Sequence, residues 1–278
     1  MVRAKILSLA GATTLLSTVA FAADLPPPLP PPVYHAPVVE TGGWYLRGFV
    51  GMSNQFINNI SHPSFDTAPQ FVFLDKGGFD SGVFFGGGVG YAWNNWLRFD
   101  VTAEYRGKVG FHALDRYFNP FIPTPAFFTN QYTASKSEWV ALVNGYLDLG
   151  TWWCVTPFIG AGIGVAYNKI EHFRDVNVIA GGGGWADTGT QTNFAWALHA
   201  GAAYKVTSNF AVELSYRYLN LGKAQTANLV NLDPTLVSGN PLAPITFNNI
   251  QSHDVMLSVR WLLAPPEPPP QYPIMRKG

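Results

Sequence analysis

From Trp96 to Arg106 the chain reads WLRFDVTAEYR and alternates along its length. Leu97, Phe99, Val101, Ala103 and Tyr105 share one side of an extended chain. Arg98, Asp100, Thr102, Glu104 and Arg106 share the other, because successive side chains of a strand point to opposite faces. The same period of two recurs in eight segments, roughly 43–52, 80–93, 96–106, 137–149, 155–168, 192–206, 209–219 and 252–263. One phase of every segment is apolar, for example Trp44, Leu46 and Val50 in the first and Val255, Leu257, Val259 and Trp261 in the last. No Asp, Glu, Lys or Arg falls on that face. The opposite face carries Arg47, Asp80, Arg98, Asp100, Glu104, Arg106, Glu138, Asp148, Lys205, Glu213, Arg217, Asp254 and Arg260.

The connections alternate between short and long. Segments two to three, four to five and six to seven are joined by a few residues, such as Asn94-Asn95. The stretches 53–79, 107–136, 169–191 and 220–251 are far longer than the usual loop of a compact domain. Strict alternation puts all short turns at one end of a sheet and all long connections at the other, which is the asymmetry of outer-membrane barrels. Trp93, Trp96, Trp152, Trp153 and Trp261 gather at the short-turn end, and Tyr105, Trp139 and Tyr167 at the other, as two interfacial girdles would. A soluble β-sandwich would have to bury so wide an apolar face and would not share this one-sided loop pattern.

Composition narrows the class. The chain is 15% aromatic but only 12% charged, against about 25% charged in soluble domains. Beyond the N-terminus it has no apolar run of about 18 residues, as a membrane-spanning helix would need. Alternating strands of a membrane barrel reconcile the two facts. The opening MVRAKILSLAGATTLLSTVAFA reads as a secretory signal peptide cleaved after Ala22. Of 17 Lys+Arg, losing Arg3 and Lys5 leaves 15 against 17 Asp+Glu, so no basic surface for nucleic acid is expected. The lone Cys154 excludes an intramolecular disulfide framework. The expected organisation is therefore a signal peptide at 1–22, a proline-rich periplasmic segment at 23–42, the barrel at 43–263 and a proline-rich tail at 264–278.

Candidate chemistry is confined to the polar face. In an eight-stranded barrel the interior is only wide enough for side chains to fill, so the charges of Arg47, Arg98, Asp100, Glu104, Arg106, Asp148, Glu213, Arg217 and Arg260 must pair or be solvated there. Gly82, Gly86, Gly88, Gly90, Gly160, Gly162 and Gly164 share the interior phase and read as room for bulky neighbours. No catalytic residues, metal site or cofactor are expected: the six histidines fall in no ligand or triad spacing, and HALD pairs His112 with Asp115 without a third partner. Phe111, Tyr117, Phe118, Phe121, Phe127 and Phe128 crowd the second long connection, where they either pack over the barrel mouth or form a sticky external surface.

GGWYLRGFVG (42–51), TPFIGAGIGVAY (156–167), LSYRYLNLG (214–222) and HDVMLSVRW (253–261) resemble strands of small outer-membrane barrels of alphaproteobacterial type. These include the RopB-like porin family, related to the OmpA transmembrane domain. The resemblance spans about 43–263. It implies an all-β, eight-stranded antiparallel up-and-down transmembrane β-barrel with short periplasmic turns and four long external loops, in the Gram-negative outer membrane. The implied partners are outer-membrane lipid, lipopolysaccharide and the outer-membrane assembly machinery, with the proline-rich ends as spacers or cell-wall contacts. Such relatives are described as structural envelope proteins, porins, surface antigens and, for a few, haem binders. The expected role here is structural and surface-exposed, not enzymatic, with an interior plugged by paired charges. A passive diffusion pore and loop-mediated binding or adhesion are the alternatives.

Overall fold

In a computed structural model, residues 42–120, 123–177, 179, 181–232 and 242–263 are described; the signal peptide, most of the first proline-rich segment and the whole of the second lie outside them. Eight long strands carry the fold: β1 (Gly43–Phe56), β4 (Gly82–Ala92), β5 (Leu97–Asn119), β7 (Asn130–Asp148), β8 (Val155–Asn177), β10 (Gly189–Lys205), β11 (Phe210–Asn231) and β12 (Leu242–Leu262). Each pairs antiparallel with its chain neighbour, and β12 returns to β1. Four short strands, β2 (Asn59–Ser61), β3 (Val72–Phe79), β6 (Ala126–Phe128) and β9 (Gly183–Ala186), pair with the far halves of β5, β8, β11 and β12, and a five-residue helix α1 (Pro63–Thr67) lies between β2 and β3.

The register fixes the shape. Cα partners lead from Trp44 to Tyr91, Phe99, Gly145, Ala161, Leu198, Tyr218 and His253, and then back to β1 at Asn54. The ring therefore closes with an offset of ten residues. With a rise of about 3.3 Å per residue and about 4.8 Å between strands, that offset tilts the strands by about 40°. The tilted, closed ladder leaves no unpaired edge in the membrane, where a bare amide would find no water.

Side chains follow the alternation. Trp44, Phe85, Val101, Val143, Ile163, Leu198, Leu214 and Leu257 are exposed on the outer wall. In a water-soluble protein that surface would be an aggregation liability; in a bilayer it is the solvated face. Inside, glycine makes room. A Cβ at Gly90 would stand 2.2 Å from the Tyr45 ring, and one at Gly160 2.5 Å from Tyr146.

The long connections are mostly strand. β5, β8 and β11 run well past the last residue of the alternating segments read from the sequence, and β7 and β12 begin well before the first. They do so by reversing the rule. In β5 the inward residues are Arg98, Asp100, Thr102, Glu104 and Arg106, but after a bulge they become Val109, Phe111 and Ala113. The bulge shifts the inward phase by one residue, and the environment inverts: polar inside within the membrane, apolar inside beyond it. Similar slips occur at His172, Gly222 and Asn249, all with positive φ (55°, 74° and 51°). Gly, Asn and His are among the residues that reach this left-handed region most readily. The extension has its own core, where Phe79, Phe111 and Phe247 pack with centroids 5.0–5.6 Å apart among Ile60, Val109, Ile245 and Ile250.

The outer wall gives a direct test. Val101→Arg places a cation on the lipid face of β5 and is expected to destabilise the barrel by about 2–4 kcal/mol. Urea unfolding in lipid vesicles measures it, and a neutral result would argue that this face does not meet lipid.

Candidate functional site

Strand pleat places the charges of the polar phase inside the ring, Asp80 and Lys205 excepted, and the ten-residue offset sets their partners. Two layers result. Nearer the short turns, Arg47 Nη1 lies 3.0 Å from Asp100 Oδ2 and donates to the Tyr146 hydroxyl at 2.6 Å. Arg98 pairs with Asp148 at 3.1 Å, its guanidinium stacked over Tyr146 and Phe158 at 4.3 and 4.7 Å. Glu213 stands amid Arg47, Arg98 and Arg260 at 3.2–3.4 Å. Asn144 donates to Asp100 at 2.7 Å and meets His199 at 3.2 Å. Three arginines thus face three carboxylates.

The second layer is more tightly bonded. Arg217 donates to both oxygens of Glu104 at 2.7 and 2.8 Å and to Asp254 at 2.7 Å. Arg106 meets Asp254, Glu138 and Glu104 at 2.8, 2.8 and 3.1 Å. Lys136 pairs with Glu138 and donates to Gln55, whose amide donates to Glu138 in turn. Again three cations face three carboxylates. Phe49, Phe84 and Met256 separate the layers. Phe84 lies 4.8 and 5.0 Å beneath Arg106 and Arg217, and Phe49 lies 5.8 Å from Arg47.

The nine candidate interior residues therefore converge: seven are buried, and Asp148 and Arg260 are partly exposed at the short-turn end. Glu138, Lys136 and Asp254 complete the balance; Lys136 falls within a stretch read from the sequence as loop. Two residues of the polar phase do not join. Asp80 and Lys205 are exposed, because each lies at or beyond the end of its strand.

The crowded aromatics divide by phase. Phe111, Phe128 and Tyr132 turn inward and are buried, Tyr117 and Phe118 are half-buried, and Phe127 is exposed beside the Arg116 guanidinium at 4.7 Å. Phe121 lies outside the described residues. His112 and Asp115 point to opposite faces and do not form a pair: His112 is exposed, whereas Asp115 is buried. His62 is also buried, accepting from the Ser64 amide and capping α1. Among the described residues no three His, Cys, Asp or Glu side chains group as a metal-ligand set.

A feature of the extension went unseen in the sequence. Asp115 on β5 accepts from Tyr132 Oη at 2.5 Å and from the Asn130 amide at 2.9 Å. Near it on β8 lies Asp175, one of whose oxygens is buried without a hydrogen bond. It lines a cleft of about 530 Å³ between β8 and β9, with His172, Arg174, Trp185 and Asp187. Burial first, and then the Asp115 charge, push the Asp175 carboxyl up to about 7. Burial also raises Asp115.

The sign of the pH effect follows. The folded tip holds its proton more tightly than the unfolded chain, so folding loses stability as pH rises from about 4 to about 7. Corrected for intrinsic rates, hydrogen exchange of the 172–177 amides is expected to be faster at pH 7.5 than at pH 5. Asp175→Asn should shrink the difference to what Asp115 contributes; an undiminished difference would assign the effect elsewhere.

Residues 12–261 match the family described as outer membrane protein beta-barrel domain. An uncharacterised protein of Brucella abortus is 30% identical over 219 residues, covering 70% of this chain and 71% of its own length. A candidate adhesin of Rickettsia prowazekii is 29% identical over 120 residues, 43% of this chain and 48% of its own. Among solved structures, the outer membrane protein OprG of Pseudomonas aeruginosa aligns with 80% of this chain and 97% of its own, at 13% identity and a TM-score of 0.46.

Proposed function

The chain belongs to the family of outer-membrane β-barrel proteins of Gram-negative envelopes, and from that premise we propose that it serves there as a closed structural barrel bearing a rigid external platform. The observation that carries this reading is the pair of charge-balanced layers, three cations against three carboxylates in each, with Phe49, Phe84 and Met256 between them. Buried charges held this closely resist separation, because removing one partner strands the other, at about 3–5 kcal/mol. An ion crossing the bore would have to displace both layers and the aromatic layer. The apolar core of Phe79, Phe111 and Phe247 adds a further obstruction on the outer side. The reading gives the protein no reaction to catalyse.

Attachment through the extension is a second reading, and one observation favours it. The external side carries long paired strands over their own core, a rigid mount for outward groups such as Phe127, Arg116, Trp185 and Arg174. The similarity to a candidate adhesin accords with it. The two readings are compatible, since one concerns the bore and the other the outer surface.

Planar-bilayer recording tests the closed bore against a diffusion pore. Purified protein is expected to show no stepwise conductance, and Arg217→Ala should show none either, since Arg106 still holds Glu104 and Asp254 and the other layers stay in place. Discrete steps from the unaltered protein, shifted by Arg217→Ala, would establish the pore instead.

A further inference from the structure

The outer wall carries no charge along the membrane part of the alternating segments, and its next feature on β5, β7 and β8 is aromatic. The Tyr105 and Trp139 rings pack at a tilt with centroids 5.0 Å apart, and Trp139 is the Cα partner of Tyr167. Interfacial Tyr and Trp mark the level where lipid tails give way to headgroups. Immediately beyond that row the first charges face outward. Lys108 is turned out by the bulge between Arg106 and Val109. Lys169 follows Tyr167 by two residues and is the Cα partner of Ser137 on the intervening strand.

The two ammoniums are arranged about one carboxylate. Lys108 Nζ lies 2.7 Å from Glu171 Oε2, and Lys169 Nζ lies 2.7 Å from Glu171 Oε1. Their side chains stay 48% and 40% exposed, whereas that of Glu171 is only 14% exposed. Each ammonium has three donors, and one bond to Glu171 leaves others for a second anion. The lysines draw the Glu171 carboxyl down to about 2, and Glu171 raises Lys169; two lysines against one carboxylate give the trio one net positive charge.

We propose that Lys108 and Lys169, set above the Tyr105–Trp139–Tyr167 row, bind the headgroup phosphate of a phosphorylated glycolipid of the outer leaflet, lipopolysaccharide. Position and charge agree. The aromatic row holds the acyl boundary at a fixed height, the paired lysines stand at the height of the phosphates, and basic residues at a membrane surface attract such headgroups. Glu171 spaces the two ammoniums and lowers the affinity by its own charge. The inference rests on the membrane placement of the barrel and is independent of whether the bore is closed, since none of the three side chains enters it.

Native mass spectrometry of the folded protein with bisphosphorylated lipid A tests it. The unaltered protein is expected to retain the lipid, and Lys108→Gln with Lys169→Gln should weaken retention tenfold or more, roughly the scale of two surface cations. Dephosphorylated lipid A should bind the unaltered protein as weakly. Inorganic phosphate at millimolar concentration should not displace the lipid; displacement would assign the site to free phosphate and overturn the proposal. Glu171→Gln separates binding from a purely structural ion trio. It should tighten lipid A binding by raising the net charge, while a structural trio would lose it. Equal retention by the double variant, with its heat-dependent gel shift intact, would also overturn the assignment.

Discussion

In a bilayer no water is available to the backbone, so every amide in the spanning region must bond within the protein. For this chain the solution is a ring of eight strands closing with an offset of ten residues. The rest of the structure follows from that closure. A ring of eight has a bore that side chains fill, so bulky Tyr45 and Tyr146 require Gly90 and Gly160 opposite. Charges sent inward by the pleat meet partners chosen by the offset rather than by sequence proximity. Glu104 and Arg217, 113 residues apart, are an example.

The membrane's second effect is to set which side is apolar. Within it, the wall is apolar and the bore charged. Beyond it, water surrounds the wall and the same strands must turn their apolar side inward. A strand cannot change phase smoothly, because its period is two. The switch is made by local slips: a bulge after Arg106 in β5, and residues of positive φ at His172, Gly222 and Asn249. One continuous strand thus serves two solvents, with ion-pair layers below the slip and the Phe79–Phe111–Phe247 core above it.

This explains how far the sequence could be read. The eight spanning segments are legible because lipid imposes one apolar phase on all of them, and WLRFDVTAEYR states it without a break. The extension is not legible because the phase slips hide its alternation. Val109, Phe111 and Ala113 continue β5, but out of step with Arg98 to Arg106. Residues such as Lys136 accordingly fell among loops, though it is an inward member of the second charge layer. The identity of the inward charges is legible from parity alone; their pairing is not, since it depends on ring closure. The Asp115–Asp175 pair is hidden for the same reason, each carboxyl being brought in by a strand that the pattern does not reveal.

The central claim is that the inward charges are bound to one another across the bore rather than solvated separately. A double-mutant cycle on Arg217 and Glu104 reads this directly, with stability measured by urea unfolding in lipid vesicles. If the pair is joined as its 2.7 and 2.8 Å bonds indicate, Arg217→Met and Glu104→Gln each destabilise by about 3–5 kcal/mol. The double variant then loses about 1–3 kcal/mol less than the two losses added together. Losses that add would contradict the account, since they would mean that each charge finds its stability without the other.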